Sequence, residues 1–271
     1  MLDAVINAAK IGGEVLLRNF DNARNLKFDR KRANDYVSEV DRLSQEKILE
    51  FILKEFPHHA VLAEEEGGGV EGEEYRWIID PLDGTTNYLH GFPVFCVSVA
   101  VEEYNIDDEG FGRIIAGTVL NPVSQDLYHS EIGKGAFKNG DSIRVNSSSD
   151  FSNTLLATGF PFREKEYLEE YLSIFRRMFN HCSGIRRAGS AALDLCWTAE
   201  GAFDGFWEKG LSVWDMAAGS LIVLEAGGVI SDFSGGKRYL ETGNIIAGSP
   251  SAQKKMLALI KRESKDYSCN S

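Results

Sequence analysis

The chain is poor in the residues that would make it a disulfide scaffold, a zinc protein or a membrane protein. It has only four cysteines, Cys96, Cys182, Cys196 and Cys269, with no C-x-x-C pair and no histidine cluster beside them. That spacing speaks against a disulfide framework and a zinc–thiolate site. Scattered reduced thiols carry the expectation of a cytoplasmic address. Proline is scarce, at six residues, and a chain that is 43% apolar and 26% charged is not an extended disordered one. No apolar run approaches the ~20 residues of a membrane span. The N-terminal MLDAVINAAKIGGEVLL carries Asp3, Lys10 and Glu14 at helical spacing, which does not suit a signal peptide. Positive charge is in deficit: 29 lysines and arginines face 41 acidic residues, for a formal net charge of −12. Such a field repels nucleic acid and anionic membranes. An anionic substrate would need that field cancelled locally, and bound metal cations do this.

At 271 residues the chain suffices for one large α/β domain or two modest lobes. Apolar residues at steps of three and four predict a helix over 2–20 and a second over about 40–56, with Pro57 behind it. Short strands are expected at 60–65, 75–80, 95–104, 113–121 and 126–132, with the acidic NIDDEGFG as a hairpin loop between two of them. From residue 151 the pattern changes. Strand TLLATGF, a helix over 167–179, strand-like HCSGIRRAG, helix SAALDLCWTAEG and strand AFDGFWEK follow in turn. Helix WDMAAGSLIVLEAGG, strands VISDF and NIIAGS and a last helix over 250–262 complete it. Gly227 or Gly228 is a natural left-handed helix terminator. Helices and strands without strict βαβ alternation imply mixed sheets covered by helices, a layered α/β (α+β) sandwich. The polar C-terminal tail reads as frayed.

The chemistry gathers at strand ends. In DPLDGTTN, Asp80 and Asp83 follow the buried run Trp77-Ile78-Ile79, with Pro81 stiffening the turn between them. Gly84-Thr85-Thr86-Asn87 reads as the start of a short helix, whose free amides and hydroxyls can receive an anion. Carboxylates for hard cations beside amides for a phosphate are what metal-assisted phosphate hydrolysis requires. The plain alternative is a D-G turn capped by Asp83. Glu64-Glu65-Glu66 ends another apolar strand; a solvated turn is the simple account, yet Glu64 and Glu65 would alternate faces were the strand to continue. Asp215 opens an apolar helix, where the dipole alone would favour it. Trp214 precedes it, and the small residues Ala217, Ala218 and Gly219 after it let that helix approach another backbone closely and carry Asp215 inward. Asp41 and Glu208, taken singly, read as a helix cap or surface charge and a strand-end carboxylate.

Together these stretches resemble the inositol monophosphatase family of the lithium-sensitive, magnesium-dependent sugar phosphatases. WIIDPLDGTTNYLHGFP is similar to its first signature and VWDMAAGSLIVLEAGG to its second. VLAEEE, DYVSEVD, RRAGSAALDL and FDGFWEKG fall in the family's order, over roughly residues 2–262. The resemblance implies a fructose-1,6-bisphosphatase-like αβαβα fold. It implies a single phosphatase domain over 1–265, with an N-terminal lobe over about 1–150, a C-terminal lobe over about 151–265 and a frayed tail at 266–271. It implies two or three Mg2+ ions on Glu64, Asp80, the Leu82 carbonyl, Asp83 and Asp215. Phosphate would rest on Gly84, Thr85 and Thr86. Glu65 would order the attacking water, and Asp41 would hydrogen-bond Thr85. Asp83, Gly189, Ser190, Ala191 and Glu208 would face the sugar-like alcohol. Arg30 or Lys31 falls where the family often has a basic residue in a mobile loop. None of the five histidines, His90 included, lies among these ligands, and oxygen donors suit magnesium better.

On this footing the expected function is magnesium-dependent hydrolysis of myo-inositol monophosphate, in a cytoplasmic homodimer with lithium sensitivity and no membrane or nucleic-acid partner. The alternatives share the metal site: a broader sugar phosphatase acting also on fructose 1,6-bisphosphate, or one for a nucleoside bisphosphate or histidinol phosphate. Arg186 and Arg187 keep a second phosphate open. A different class of alternative is a regulatory protein that binds the transcription machinery through the same fold.

Overall fold

The computed structural model describes residues 1–23, 28–32, 35–65, 71–72, 74–103, 111–147, 150–162 and 165–261. In chain order the elements begin with α1 (Leu2–Phe20), β1 (Phe28–Arg32), β2 (Asp35–Ser38), α2 (Glu39–Glu55), β3 (Ala60–Ala63), β4 (Tyr75–Asp83) and α3 (Thr85–Leu89). They continue with β5 (Cys96–Glu103), β6 (Arg113–Asn121), β7 (Asp126–Glu131), β8 (Ala136–Lys138), β9 (Asp141–Ile143) and β10 (Leu155–Thr158). Then follow α4 (Leu168–Phe179), β11 (Gly184–Arg186), α5 (Ala191–Ala199), β12 (Gly205–Glu208) and α6 (Val213–Glu225). The last are β13 (Val229–Ser231), α7 (Tyr239–Thr242), β14 (Ile245–Gly248) and α8 (Pro250–Lys261).

Strands β3 to β9 form one sheet in sequence order, antiparallel except for the parallel pair β3–β4. A second sheet runs β11-β10-β12-β14-β13, with β10 parallel to both neighbours. Three apolar cores glue five layers together. Helices α1 and α2 cover the outer face of the first sheet around Ile48, Trp77 and Val99. Helices α5 and α6 lie between the sheets. Helices α4 and α8 cover the far face of the second sheet around Trp207 and Met256. The αβαβα sandwich is the architecture that the sequence predicts.

Each helix's place follows from its side chains. Helix α4 buries only Tyr171, Ile174 and Met178, one stripe at helical spacing, and so can sit outside. Helix α6 is buried from Val213 to Val223 apart from Trp214, on every side, and can only be a middle layer. Its small residues decide how close it comes. A Cβ on Gly117 of β6 would stand 3.0 Å from the Ala218 Cα, and one on Gly219 would stand 2.7 Å from Leu195 on α5.

Some predicted boundaries are corrected. Strand β3 stops at Ala63, short of the acidic triplet: its last rung is the Glu64 amide on the Ile79 carbonyl at 3.2 Å, and the chain bends at Glu64 and Glu65. Strand β4 runs on through Pro81 to Asp83, so the turn expected between Asp80 and Asp83 is instead an irregularity in the pairing with β5. The β1–β2 hairpin, β8, β9 and α7 are additions, too short and polar to show a period. Arg30 and Lys31 lie on β1, and only their backbone is described. Glu66 and most of the NIDDEGFG loop fall outside the described residues.

Candidate active site

The site forms where β4 ends. At that irregularity the Leu82 amide donates to Asp80 Oδ1 at 3.0 Å, and Ser44 of α2 donates to the Pro81 carbonyl at 3.1 Å. The strand end is thereby held from inside and from the neighbouring helix. Gly84 follows at φ 98°, a left-handed conformation; a Cβ there would stand 2.9 Å from the Val94 carbonyl. From it α3 departs, and Tyr88 returns its amide to the Gly84 carbonyl at 3.0 Å. Asn87 ties this short helix to the opposite half of the chain, donating to the carbonyls of Val94 at 2.7 Å and Ala188 at 2.9 Å.

Asp80, Asp83 and Asp215 bring carboxylate oxygens within 4.8 Å of one another. Asp80 is 1% exposed. Burial first, then the charges of Glu64, Asp83 and Asp215, push its carboxyl well above the usual range, and the Leu82 amide opposes this. The charged side chains that act most on Asp80, Glu64, Asp83 and Asp215, are all acidic. An all-oxygen donor set with a desolvated anion at its centre fits a hard divalent cation. Asp215 gives one oxygen to the helix it opens, accepting from the Ser212 amide at 2.7 Å. The dipole account of Asp215 and its inward placement are therefore both true. Asp83 Oδ2 accepts from the Ser190 hydroxyl at 2.6 Å and from the Ala192 amide at 2.8 Å, so the start of α5 aims this carboxylate.

Around this cluster the cleft is lined by Glu64, Leu82, Gly84, Thr85 and Thr86 on one side and by Gly189, Ser190, Ala191, Asp194 and Glu208 on the other. Thr85 Oγ1 lies 3.1 Å from Asp41 Oδ1 and 3.2 Å from the Leu82 carbonyl, and its one proton can go to either. Asp41 is itself 1% exposed, not a surface charge. Glu65 is buried, and Gln45 clamps its backbone, accepting from the Glu65 amide at 3.0 Å and donating to its carbonyl at 3.3 Å. Glu208 ends β12. A Cβ on Gly159 would stand 1.8 Å from Glu208 Oε1, so a glycine is what lets this carboxylate lie along the cleft wall. Gly189, at φ 95°, would place a Cβ 2.5 Å from an Arg187 nitrogen.

The family description for inositol monophosphatases matches residues 1–266. The chain belongs to the inositol monophosphatase family. Within that family it is 44% identical over 265 residues to a Nus factor SuhB of Pseudomonas aeruginosa, covering 96% of this chain and 95% of that one. It is 42% identical to an inositol-1-monophosphatase of Mesorhizobium japonicum, covering 97% and 96%. The crystal structure of the extragenic suppressor protein suhB from Bartonella henselae superposes with a TM-score of 0.90 at 40% identity, covering 96% of this chain and 97% of that one.

For a family member, three features of this site escaped the sequence reading. Gly159 hides in TGFPF as an ordinary turn residue. Cys96 places its thiol 3.9 Å from Asp83 Oδ2 and 3.5 Å from Ser190 Oγ, with burial driving its proton affinity up. Asp194 is the single charge of the apolar helix AALDLCWTA, a pattern visible in the sequence but unused. Of the two arginines kept open for a second phosphate, Arg187 lines the cleft, its guanidinium over the rings of Phe160 and Phe162 at 5.4 and 5.3 Å. Arg186 does not line it.

The position of Ser190 has a measurable consequence. The resemblance sets it against the alcohol, whereas in the structure its hydroxyl is spent on Asp83 and it is 1% exposed. Ser190→Ala should raise the magnesium concentration needed for half-maximal turnover by about 10- to 100-fold, the usual effect of losing an outer-shell partner. An unchanged magnesium titration with a raised KM for the organic phosphate would return Ser190 to the alcohol side.

Proposed function

We propose that this protein hydrolyses myo-inositol monophosphate to inositol and phosphate with Mg2+, by in-line attack of water. The observation that carries the reading is the convergence of Asp80, Asp83 and Asp215 within 4.8 Å, in one cleft with the Gly84–Thr85 helix start and Glu208. Glu64, Asp80, the Leu82 carbonyl, Asp83 and Asp215 would hold the metal. Two or three Mg2+, when bound, would cancel the carboxylate charge, acidify a water and stabilise the departing ester oxygen.

The chain's own groups do the rest. Gly84, Thr85 and Thr86 present amides and hydroxyls to the phosphate oxygens. Asp41 accepts the Thr85 hydroxyl's hydrogen bond, which turns an Oγ1 lone pair outward to accept a hydrogen bond from the attacking water. Glu65, desolvated and held by Gln45, accepts the second water proton and orients the lone pair toward phosphorus. Glu208, with the turn from Gly189 to Ala191, faces the alcohol, where a carboxylate accepts hydrogen bonds from ring hydroxyls. No side-chain nucleophile is needed.

The test is inorganic phosphate release from myo-inositol 1-phosphate and fructose 1,6-bisphosphate side by side, with and without Mg2+. Magnesium-dependent release from the inositol ester, well above the bisphosphate, is expected. Equal release from both would establish the broader sugar phosphatase, with Arg187 the next residue to replace. No release from either would sink the inositol-phosphate and fructose-bisphosphate readings together and leave the nucleoside bisphosphate and histidinol phosphate alternatives.

A second reading has an observation of its own. The Pseudomonas relative, 44% identical across almost the whole chain, is named a Nus factor. The same fold would then also serve the transcription machinery through a protein contact, as a homodimer or in exchange for one. Co-purification of RNA polymerase components with the tagged chain, retained in a variant with no phosphatase activity, is the result expected of such a role.

A further inference from the structure

Asp194 is a charged side chain that the fold itself leaves without work. It stands in the first turn of α5 and is 1% exposed, among residues that are buried almost without exception. Capping of that turn falls to Ser190, whose hydroxyl accepts from the Leu193 amide at 3.4 Å, so Asp194 does not serve as the cap. Its Oδ1 is buried with no hydrogen-bond partner, yet the residue lines the same cleft as Glu208. Burial, then the charges of Glu208 and Asp83, disfavour its ionised form, and Arg187 offsets this only in part. The Arg187 guanidinium is parked on two phenylalanine rings and makes no ion pair with Asp194.

A buried acceptor without a donor is costly, and a native fold leaves few of them. One that lines a cleft is satisfied when a ligand supplies the donor. A metal is not the fitting occupant. Among the described residues no third carboxylate, thiol or imidazole closes with Asp194 and Glu208 at ligand spacing; the one such group is Asp80, Asp83 and Asp215. Neutral hydroxyl groups are the fitting donors. They need no second cation beside Arg187, and several of them on one ring can reach acceptors on neighbouring walls.

We propose that Asp194 is a specificity-determining residue whose carboxylate, alongside Glu208, accepts a hydrogen bond from a ring hydroxyl of the alcohol, so that the cleft selects polyol phosphates over phosphates of plain alcohols. This rests on the phosphatase reading above and names what its alcohol side recognises.

Cyclohexyl phosphate is the discriminating probe, since it keeps the ring and the ester of myo-inositol 1-phosphate but has no other hydroxyl. The quantity to measure is kcat/KM for the two esters in the unmodified protein and in Asp194→Leu, which keeps the branched shape and removes the acceptor. The variant is expected to lower the inositol-to-cyclohexyl ratio by about tenfold, chiefly through KM for the inositol ester, as the loss of one hydrogen bond to a desolvated acceptor implies. A merely structural role would lower both esters together and leave the ratio alone, which would overturn the proposal. Should Asp194→Leu fold poorly, Asp194→Ala gives the same ratio test with a smaller side chain. A normal rate on inositol 1-phosphate in the unmodified protein with no change of ratio in either variant would sink this inference alone. No turnover of the inositol ester by the unmodified protein would remove the inositol-phosphate reading, and this inference with it.

Discussion

Asp83→Asn is expected to lower kcat/KM by at least about 10³-fold at saturating magnesium, on the order of 4 kcal/mol of transition-state stabilisation. The structure says why the isosteric change is so severe. Asp83 Oδ2 accepts from the Ser190 hydroxyl and the Ala192 amide, with the Cys96 thiol also on it. An asparagine must keep its carbonyl oxygen there, because the Ala192 N–H can only donate. Its NH2 group then takes the place of the other carboxylate oxygen and presents hydrogens in place of a lone pair to any cation the proposed site would hold. The fold should survive, since the α5 contacts are retained. The far-UV circular dichroism and Tm of the variant, measured beside its turnover, check both halves. Wild-type turnover in a folded Asp83→Asn protein would remove Asp83 from the metal site.

Gly84→Ala is the second large effect. The residue sits at φ 98°, and its new methyl would stand 2.9 Å from the Val94 carbonyl, a backbone atom that cannot swing aside. Left-handed backbone costs an ordinary residue about 1–2 kcal/mol before any contact is counted. The strain has one outlet, a shift of the Asp83–Thr85 segment, which carries a carboxylate of the cluster, the helix start and the Thr85 hydroxyl together. A displacement near 1 Å is enough for about a 100-fold loss of rate. The expected result is a kcat/KM down by about that factor, with Tm lower by several degrees or fewer. Unimpaired turnover would mean that the phosphate does not rest on this turn.

The elements that were readable in the sequence are those with a period long enough to register. Helices α1, α2, α4, α6 and α8 fall within three residues of their predicted spans, because each carries several turns of apolar spacing. Strands β8 and β9, three residues each, and the β1–β2 hairpin have no room for a pattern. Strand β4 was cut short for a related reason. Proline and two aspartates read as a turn, and only pairing with β5 across an irregularity carries the strand on to Asp83. Asp41 illustrates the same limit at the site. Its place near the start of α2 is a cap by local rules, and its burial against Thr85, 44 residues on, is a fact of packing.

By itself the sequence determined the layered class, the family, and the set of acidic residues from which the site is drawn, because strand-end carboxylates, a Gly-Thr-Thr helix start and a run of small residues are local features of one chain. What only the tertiary structure decided is the division of labour among those residues. Which oxygen of Asp83 is already occupied, that Ser190 aims it, that Gly159 makes space for Glu208 and that Asp194 is left without a donor all depend on α5 and α6 being pressed between two sheets. Segments more than a hundred residues apart meet there, and hydrogen-bond satisfaction in a desolvated cleft is settled by which partner arrives, something no single stretch of the chain encodes.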